Sequence, residues 1–351
     1  MSRYKFGIIG CGRISYKHVE SLKHIDNAEI AAVCDIKPNR AIKYAKELDI
    51  PHYVDYREML KKEDIDIVDI LTPSGTHADI AIYVANAGKH VVVEKPMALK
   101  IHDAELMIEA ADNNGVRLFV VKQNRFNSAV IKAREAFNAG RFGKLVMGTV
   151  RVRWSRNQAY YDQDDWRGTW AMDGGVFANQ ASHHLDLLQW FFGDVESVMA
   201  MTRTALVNIE TEDTGGALLQ FTNGAIGIVE ATTATRPKDL EGSMSILGEN
   251  GTVEIGGFAV NEIKVWNFSE PLEEDKKVIQ EYGEDPPNVY GFGHEAYFRH
   301  VIDSLETGKS ALVDGFAGIK SLEIINAIYE SVVSGKKVYI HNQFRNSPLG
   351  K

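Results

Sequence analysis

Gly7-Ile8-Ile9-Gly10-Cys11-Gly12-Arg13-Ile14-Ser15 closes an apolar run that begins at Tyr4, and a helical pattern (Ile14, His18, Leu22, Ile25) follows it. Read as Gly10-x-Gly12-x-x-Ser15, it is a dinucleotide fingerprint with serine in place of the third glycine. The first glycine permits a tight turn, and the second lets backbone amides approach a pyrophosphate at a helix N-terminus. Asp35 ends the next apolar run about 20 residues on, where a carboxylate accepts from a ribose 2′-hydroxyl and repels a 2′-phosphate. This reading predicts NAD rather than NADP, with Lys37 the one residue that argues the other way. A Gly-rich strand-to-helix turn is the plain alternative, and the flanking pattern decides against it.

Outward from this turn the first third alternates strands and helices. Strands are predicted at Tyr4–Ile9, Glu29–Cys34, Asp66–Leu71, His90–Val93 and Val116–Val121, with helices between them. That spacing specifies βαβ units and a parallel sheet covered on both faces. After about residue 125 strands follow one another through glycine turns: Val146–Trp154, Val195–Arg203, Gly216–Phe221, Ala225–Ala231, Ser243–Leu247, Thr252–Ile255 and Ile263–Trp266, which suggests an antiparallel meander. One long helix, Val176–Phe192, interrupts the run, and helices near Glu295–Glu306 and Ala317–Ser334 finish the chain. The fold class is therefore α/β plus α+β. A doubly wound Rossmann domain spans residues 1–124, and a domain on a large open, mostly antiparallel sheet spans 125–351, the last helices packing back on the first domain. Gly283–Gly293 is the one candidate for a long functional loop.

The 351 residues suit about two domains. A net charge of −9 lacks the field of a duplex nucleic-acid binder, though a local Arg cluster can still take an anionic small molecule. No apolar run is long enough to span a membrane. The N-terminus runs straight into a strand, so no leader and a cytoplasmic location are expected. Cys11 and Cys34 read as reduced, packed thiols.

Three further stretches carry chemistry. Thr72-Pro73-Ser74-Gly75-Thr76-His77 and Glu94-Lys95-Pro96 end parallel strands, the rim where open α/β sheets bind ligands. His77 is a candidate cofactor contact and Lys95 a candidate catalytic or substrate residue. In Gly174-Gly175-Val176-Phe177-Ala178-Asn179-Gln180-Ala181-Ser182-His183-His184-Leu185-Asp186, a continuous helix puts Asn179, His183 and Asp186 on one face. His183 then has oriented nitrogens and suits acid–base work, whereas His184 points away. A metal on His183, His184 and Asp186 is not expected, because adjacent helical histidines diverge and nothing completes a tetrahedral set. Trp166-Arg167-Gly168-Thr169-Trp170, with Arg151, Arg153, Arg156, Tyr160 and Tyr161, is a cationic-aromatic cluster suited to anions and planar bases, and Arg236-Pro237-Lys238 is a second basic group.

In this order, GIIGCGRIS, TPSGTH, EKP and GG-x-x-x-N-x-x-x-H-x-x-D resemble the Gfo/Idh/MocA oxidoreductase family over essentially the whole chain. The resemblance implies a Rossmann domain followed by an open sheet used for substrate binding and for tetramer or dimer formation. It also implies Lys95 and His183 beside the nicotinamide, and a cis peptide bond at Pro96. Asn179 and Ala181 depart from it, since most family sugar and inositol dehydrogenases have Asp and Gly there. A narrower resemblance, carried by VVKQNRFN, WRGTW, DGGVFANQASHH, LEGSMSILGENGTVEIGG, AVNEI and VYGFGH, is to the UDP-N-acetylglucosaminuronic acid 3-dehydrogenases of bacterial polysaccharide assembly. They oxidise C3 to a ketone that an aminotransferase then aminates, on the way to diacetamido-uronic acids of surface polysaccharide.

The resemblance implies cofactor contacts from Gly10, Gly12, Arg13, Ile14, Asp35, Thr72, Pro73, His77, Glu94, Lys95, Gln123, Trp166 and Arg167. It implies substrate contacts from Lys95, Arg125, Arg153, Arg156, Tyr161, Thr169, Asn179, Gln180 and His183. His183 is expected to act as base and Lys95 to hold the C3 oxygen, with exchanged roles the alternative. Arg125, Arg153, Arg156 and Arg167 are unranked candidates for the uronate and pyrophosphate. A 2-oxo acid such as 2-oxoglutarate is a candidate for recycling bound NADH. The competing functions are a dehydrogenase of another sugar, nucleotide sugar or inositol, and a non-catalytic NAD-binding regulator.

Overall fold

The computed structural model describes residues 3–283, 291, 293–341, 344 and 346–351. The expected Gly283–Gly293 loop therefore lies largely outside the described residues. Two compact units form: Met1–Val121 with His294–Ile319, and Lys122–Gly293 with Lys320–Lys351.

In the first unit β1 (Tyr4–Ile9), α1 (Ser15–Lys23), β2 (Ala28–Cys34), α2 (Pro38–Leu48), β3 (His52–Tyr53), α3 (Tyr56–Lys62), β4 (Ile67–Ile70), α4 (His77–Asn86), β5 (His90–Val93), α5 (Ile101–Asn113) and β6 (Leu118–Val120) alternate. The six strands pair in parallel in the order β3-β2-β1-β4-β5-β6. The order reverses between β1 and β4, which opens the crevice where such sheets bind ligands. Strands as aliphatic as Val91-Val92-Val93 are buried on both faces. The short edge strand β3 escapes the sequence pattern because two residues carry no periodicity.

The second unit holds α6 (Ser128–Asn138), β7 (Leu145–Arg153), α7 (Gln158–Tyr161), α8 (Ser182–Phe192), β8 (Val195–Arg203), β9 (Thr214–Phe221), β10 (Ile226–Thr232), β11 (Glu241–Gly248), β12 (Gly251–Gly256), β13 (Glu262–Phe268) and α9 (Asp275–Glu281). Two long helices follow, α10 (Gly293–Thr307) and α11 (Gly315–Ser334), then β14 (Val338–Tyr339). The eight-stranded sheet runs β13-β12-β11-β7-β10-β9-β8-β14. It is not a simple meander: β7 and β10 lie side by side in parallel register, and the remaining pairs are antiparallel. The chain from 294 to 319 returns to the first unit, where Phe298 of α10 packs edge-on to Phe6 at 5.9 Å.

Period-2 alternation gives the large sheet two different faces. Gly148, Val150 and Val152 of β7 point inward. A side chain at Gly148 would sit 2.4 Å from Phe192 Cε2 and 2.6 Å from Leu188 Cδ1, so α8 rests directly on the strand. Met199, Met201, Leu218 and Ile226 of β8 to β10 are exposed.

Candidate functional site

The first unit supplies the nucleotide rim. Gly10 turns the chain at φ 97°, a conformation that favours glycine, and a Cβ there would lie 2.7 Å from the Leu71 carbonyl on the neighbouring strand. A Cβ on Gly12 would meet nothing nearer than Arg40 Nη1 at 4.0 Å, which leaves its backbone open. Ser15, fully buried, closes the turn against Gly12 O at 2.7 Å and Tyr44 Oη at 3.0 Å. Ile14 opens α1 without a side-chain cap, and Arg13 precedes it. An open glycine backbone facing an uncapped helix start suits a dinucleotide pyrophosphate. Asp35 braces the same turn, accepting from the Cys11 N–H at 2.8 Å and the Lys37 N–H at 2.7 Å. Burial pushes the Cys11 and Cys34 thiols up to about 12, so both stay protonated and inert.

Thr72 and Pro73 form the next rim turn, which Thr76 closes by donating to Thr72 Oγ1 and Pro73 O. His77 does not face this rim. It is buried with Nε2 2.8 Å from Thr72 O and Nδ1 2.9 Å from Pro96 O, so it ties two rim turns together and has no surface for a cofactor. The Lys95–Pro96 bond is cis, as the resemblance implies. Glu94 is also turned inward: one oxygen receives His18 Nε2 at 3.1 Å and the other accepts the Lys95 backbone N–H at 2.9 Å.

The second unit carries the histidine. The expected helix Val176–Phe192 is broken: Asn179 and Gln180 bond back four residues, but the Ala181 N–H reaches Val176 O, five back, at 2.8 Å. One extra residue in the turn rotates everything before it, since each residue advances a helix by about 100°. The face predicted for Asn179, His183 and Asp186 therefore does not form. Asn179 instead donates to Asp173, whose other oxygen accepts the Gly168 N–H at 2.9 Å. Asp186 is buried in a bidentate pair with Arg125 (2.8 Å twice), with Lys122 at 3.2 Å. Burial raises its pKa, and the two cations overcome this, so it stays ionised below the ordinary carboxylate value. The partner of His183 is Gln123, whose Nε2 lies 3.1 Å from His183 Nε2. His184 packs edge-on to Trp154 at 5.8 Å, and burial lowers it to about 3, so it is an uncharged core residue.

Three of the four candidate arginines are already neutralised. Arg125 is spent on Asp186. Arg153 is on the opposite face of β7 from Val152, with Nε and Nη2 on Glu230 at 2.6 and 2.7 Å and Nη1 on Glu241 at 3.1 Å, which removes it from the α8 side. Arg156 pairs with Asp239 at 2.9 Å. Arg167 donates to Tyr160 Oη at 3.0 Å and stacks on Trp166 and Tyr160 at 4.5 and 4.8 Å. Among the described residues it makes no ion pair, and its buried Nε has no hydrogen-bond partner. Tyr161 is buried on Thr233 Oγ1 at 3.1 Å, and Thr169 Oγ1 closes its own turn on Trp166 O. Gln180 is buried.

Two acids escaped the sequence reading. Asp173 links the Trp166–Thr169 turn to Asn179, and its place before two glycines is the signal that was available. Glu212 is buried under Gly175, accepting from the Phe177 N–H at 3.1 Å and Tyr329 Oη at 2.9 Å. Its Oε2 has no hydrogen-bond partner among the described residues, and a Cβ on Gly175 would lie 2.0 Å from it. Nothing local in the sequence marks it.

Residues 4–122 match the family model described as "Oxidoreductase family, NAD-binding Rossmann fold", and residues 134–340 match "Oxidoreductase family, C-terminal alpha/beta domain". The crystal structure of the WlbA dehydrogenase from Bordetella pertussis, in complex with NADH and UDP-GlcNAcA, is similar at 45% identity and TM-score 0.94, covering 97% of this chain and 99% of that one. The WlbA dehydrogenase from Chromobacterium violaceum, with the same two ligands, is similar at 44% identity and TM-score 0.90, covering 97% and 96%. Myo-inositol 2-dehydrogenase of Thermotoga maritima is 29% identical, over 91% of this chain and 96% of its own length. The chain belongs to the Gfo/Idh/MocA oxidoreductase family, whose first domain binds NAD.

Proposed function

We propose that this family member oxidises the C3 hydroxyl of UDP-N-acetyl-glucosaminuronic acid to the 3-keto sugar. The observation that carries this reading is identity of 44–45%, over nearly full length, to two dehydrogenases crystallised with NADH and that sugar nucleotide, against 29% to the inositol enzyme. When bound, NAD supplies the acceptor for the C3 hydride. Gly10, Gly12 and the start of α1 hold its pyrophosphate, and Asp35 its ribose, which favours NAD over its 2′-phosphorylated form.

His183 takes the C3 hydroxyl proton. A histidine near 6.5 suits a base at neutral pH, whereas an ordinary lysine near 10.4 does not. Gln123, its Nε2 3.1 Å from His183 Nε2, orients the ring and must yield that nitrogen to the substrate hydroxyl for the transfer. Lys95 stabilises the developing negative charge on the C3 oxygen. Asn179, held by Asp173, bonds a sugar hydroxyl. Arg167, the one of the four candidate arginines without an ion pair among the described residues, meets the substrate's negative charge, and its Trp166 and Tyr160 platforms pre-organise the fork.

No helix of the described residues is long and apolar enough to cross a membrane, which agrees with the proposed cytoplasmic location. The apolar outer face at Met199, Met201, Leu218 and Ile226 supports assembly into a homotetramer or dimer through the large sheet. The direct test mixes purified protein, UDP-N-acetyl-glucosaminuronic acid and NAD, and follows reduced-nicotinamide absorbance. 2-Oxoglutarate is added in parallel, and 2-hydroxyglutarate measured, to detect recycling of retained NADH. Absence of the 3-keto sugar in both arms, with NAD shown to bind, sinks the proposal.

A further inference from the structure

The first unit buries a chain of ionisable groups that the proposed chemistry does not use. His18 of α1 is fully buried, its Nδ1 2.8 Å from Asp69 Oδ2 in the middle of β4 and its Nε2 3.1 Å from Glu94 Oε1 just beyond β5. The remaining sides are closed by α10, with the His294 ring at 5.3 Å and the Phe298 ring at 5.2 Å. Both ring nitrogens thus face carboxylate oxygens, and only an imidazolium can donate to both. Glu94 then passes its second oxygen to the backbone N–H of Lys95.

His18, Glu94 and His294 offer ligand-type atoms within 4.8 Å of one another. The carboxylate contacts on both His18 nitrogens make this a proton-holding cluster rather than an ion site. The charged and titratable groups around His18 are Asp69 on β4, Glu94 after β5, and His294 and Tyr297 on α10, with Lys17 beside His294. Burial alone would strip the His18 proton; the two carboxylates reverse this and raise it to about 10. Burial leaves His294 uncharged, lowered to about 3.

We propose that His18 is a positioning residue for Lys95: by clamping Asp69 and Glu94 with one imidazolium, it fixes the Glu94 carboxylate that anchors the Lys95 backbone. The inference rests on the role given to Lys95 above. A lysine on a four-carbon stem keeps many rotamers, so its ammonium reaches one reacting oxygen reproducibly only if the backbone beneath it is immobile. Neutralising or shortening the clamp frees the Glu94 carboxylate, and the loss falls on turnover, because NAD is held by other groups.

The experiment compares full-length wild type, Lys95→Ala, His18→Gln and the double variant, assayed with UDP-N-acetyl-glucosaminuronic acid and NAD. His18→Gln is expected to lower kcat about 10- to 100-fold, the scale of a small misplacement. The KM for NAD should stay within about twofold, and the double variant should be no slower than Lys95→Ala within about twofold, since coupled residues do not add. A structural role alone would instead multiply the two losses. His18→Gln with wild-type kcat, or with a loss that multiplies that of Lys95→Ala, overturns the inference while leaving the proposed function standing. Lys95→Ala with wild-type turnover overturns both. Should His18→Gln not fold, Glu94→Gln replaces it under the same criteria, because one amide oxygen cannot serve both His18 and the Lys95 N–H.

Discussion

Glu212→Gln should abolish a pH effect on stability that is set inside the second unit. In the folded chain, burial raises the Glu212 carboxyl from 4.5 to about 7; Asp173 adds to the rise, and the Phe177 N–H and Tyr329 hydroxyl only partly oppose it. An acid with a raised folded pKa binds its proton more tightly when folded. Stability is therefore fully present below about 4.5, declines as pH climbs through the interval up to about 7, and is lowest above it. At 1.36 kcal/mol per pH unit the whole change is about 3 kcal/mol. The glutamine cannot ionise, so the unfolding free energies of wild type and variant from urea titration should agree within about 1 kcal/mol near pH 5. Near pH 8.5 the variant should be more stable by about 3 kcal/mol. A wild-type-minus-variant difference that stays flat between those two pH values would refute the assignment of a neutral Glu212 beneath Gly175.

His183→Ala should cut turnover by about 100-fold or more and leave NADH affinity, read by cofactor fluorescence, unchanged. Arg167→Ala should raise the KM for the sugar nucleotide about 30-fold, the equivalent of about 2 kcal/mol for a charged hydrogen bond, with a smaller change in kcat; an unchanged KM would return the anion site to the other basic residues. Met201→Asp with Leu218→Asp, two charges on the exposed sheet face, should lower the mass seen by sedimentation if that face joins subunits, and a mass equal to wild type speaks against it.

Much of this molecule could be read from local pattern. Uniform aliphatic strands and the glycine turn placed the parallel sheet, and the end of β5 just before Lys95 followed from Pro96, which cannot donate to the ladder of a central strand. What escaped was held by partners far along the chain. Asp69 sits in the run Ile67-Val68-Asp69-Ile70-Leu71, where a lone acid among apolar residues needs a buried partner; the run shows the need but not that His18, 51 positions earlier, meets it. Arg153 looked available for an anion because sequence shows charge and hides the sheet face on which Glu230 and Glu241 lie. The helix around His183 was overextended for a similar reason. A shift from four-back to five-back hydrogen bonding at Ala181 leaves the residue types unchanged, and with them the amphipathic pattern.

The contact between Gly148 and Phe192 has a mechanical corollary. α8 is pinned near its C-terminal end by a strand that offers no side chain there, while His183 stands at the other end, about 13 Å away at 1.5 Å per residue. A methyl group at position 148 would act as a wedge beneath one end of a rigid beam, and a tilt of even about 5° would swing the imidazole by roughly 1 Å over that length. Accuracy at the histidine is thus guarded by the smallest residue on a strand that never needs to touch a ligand.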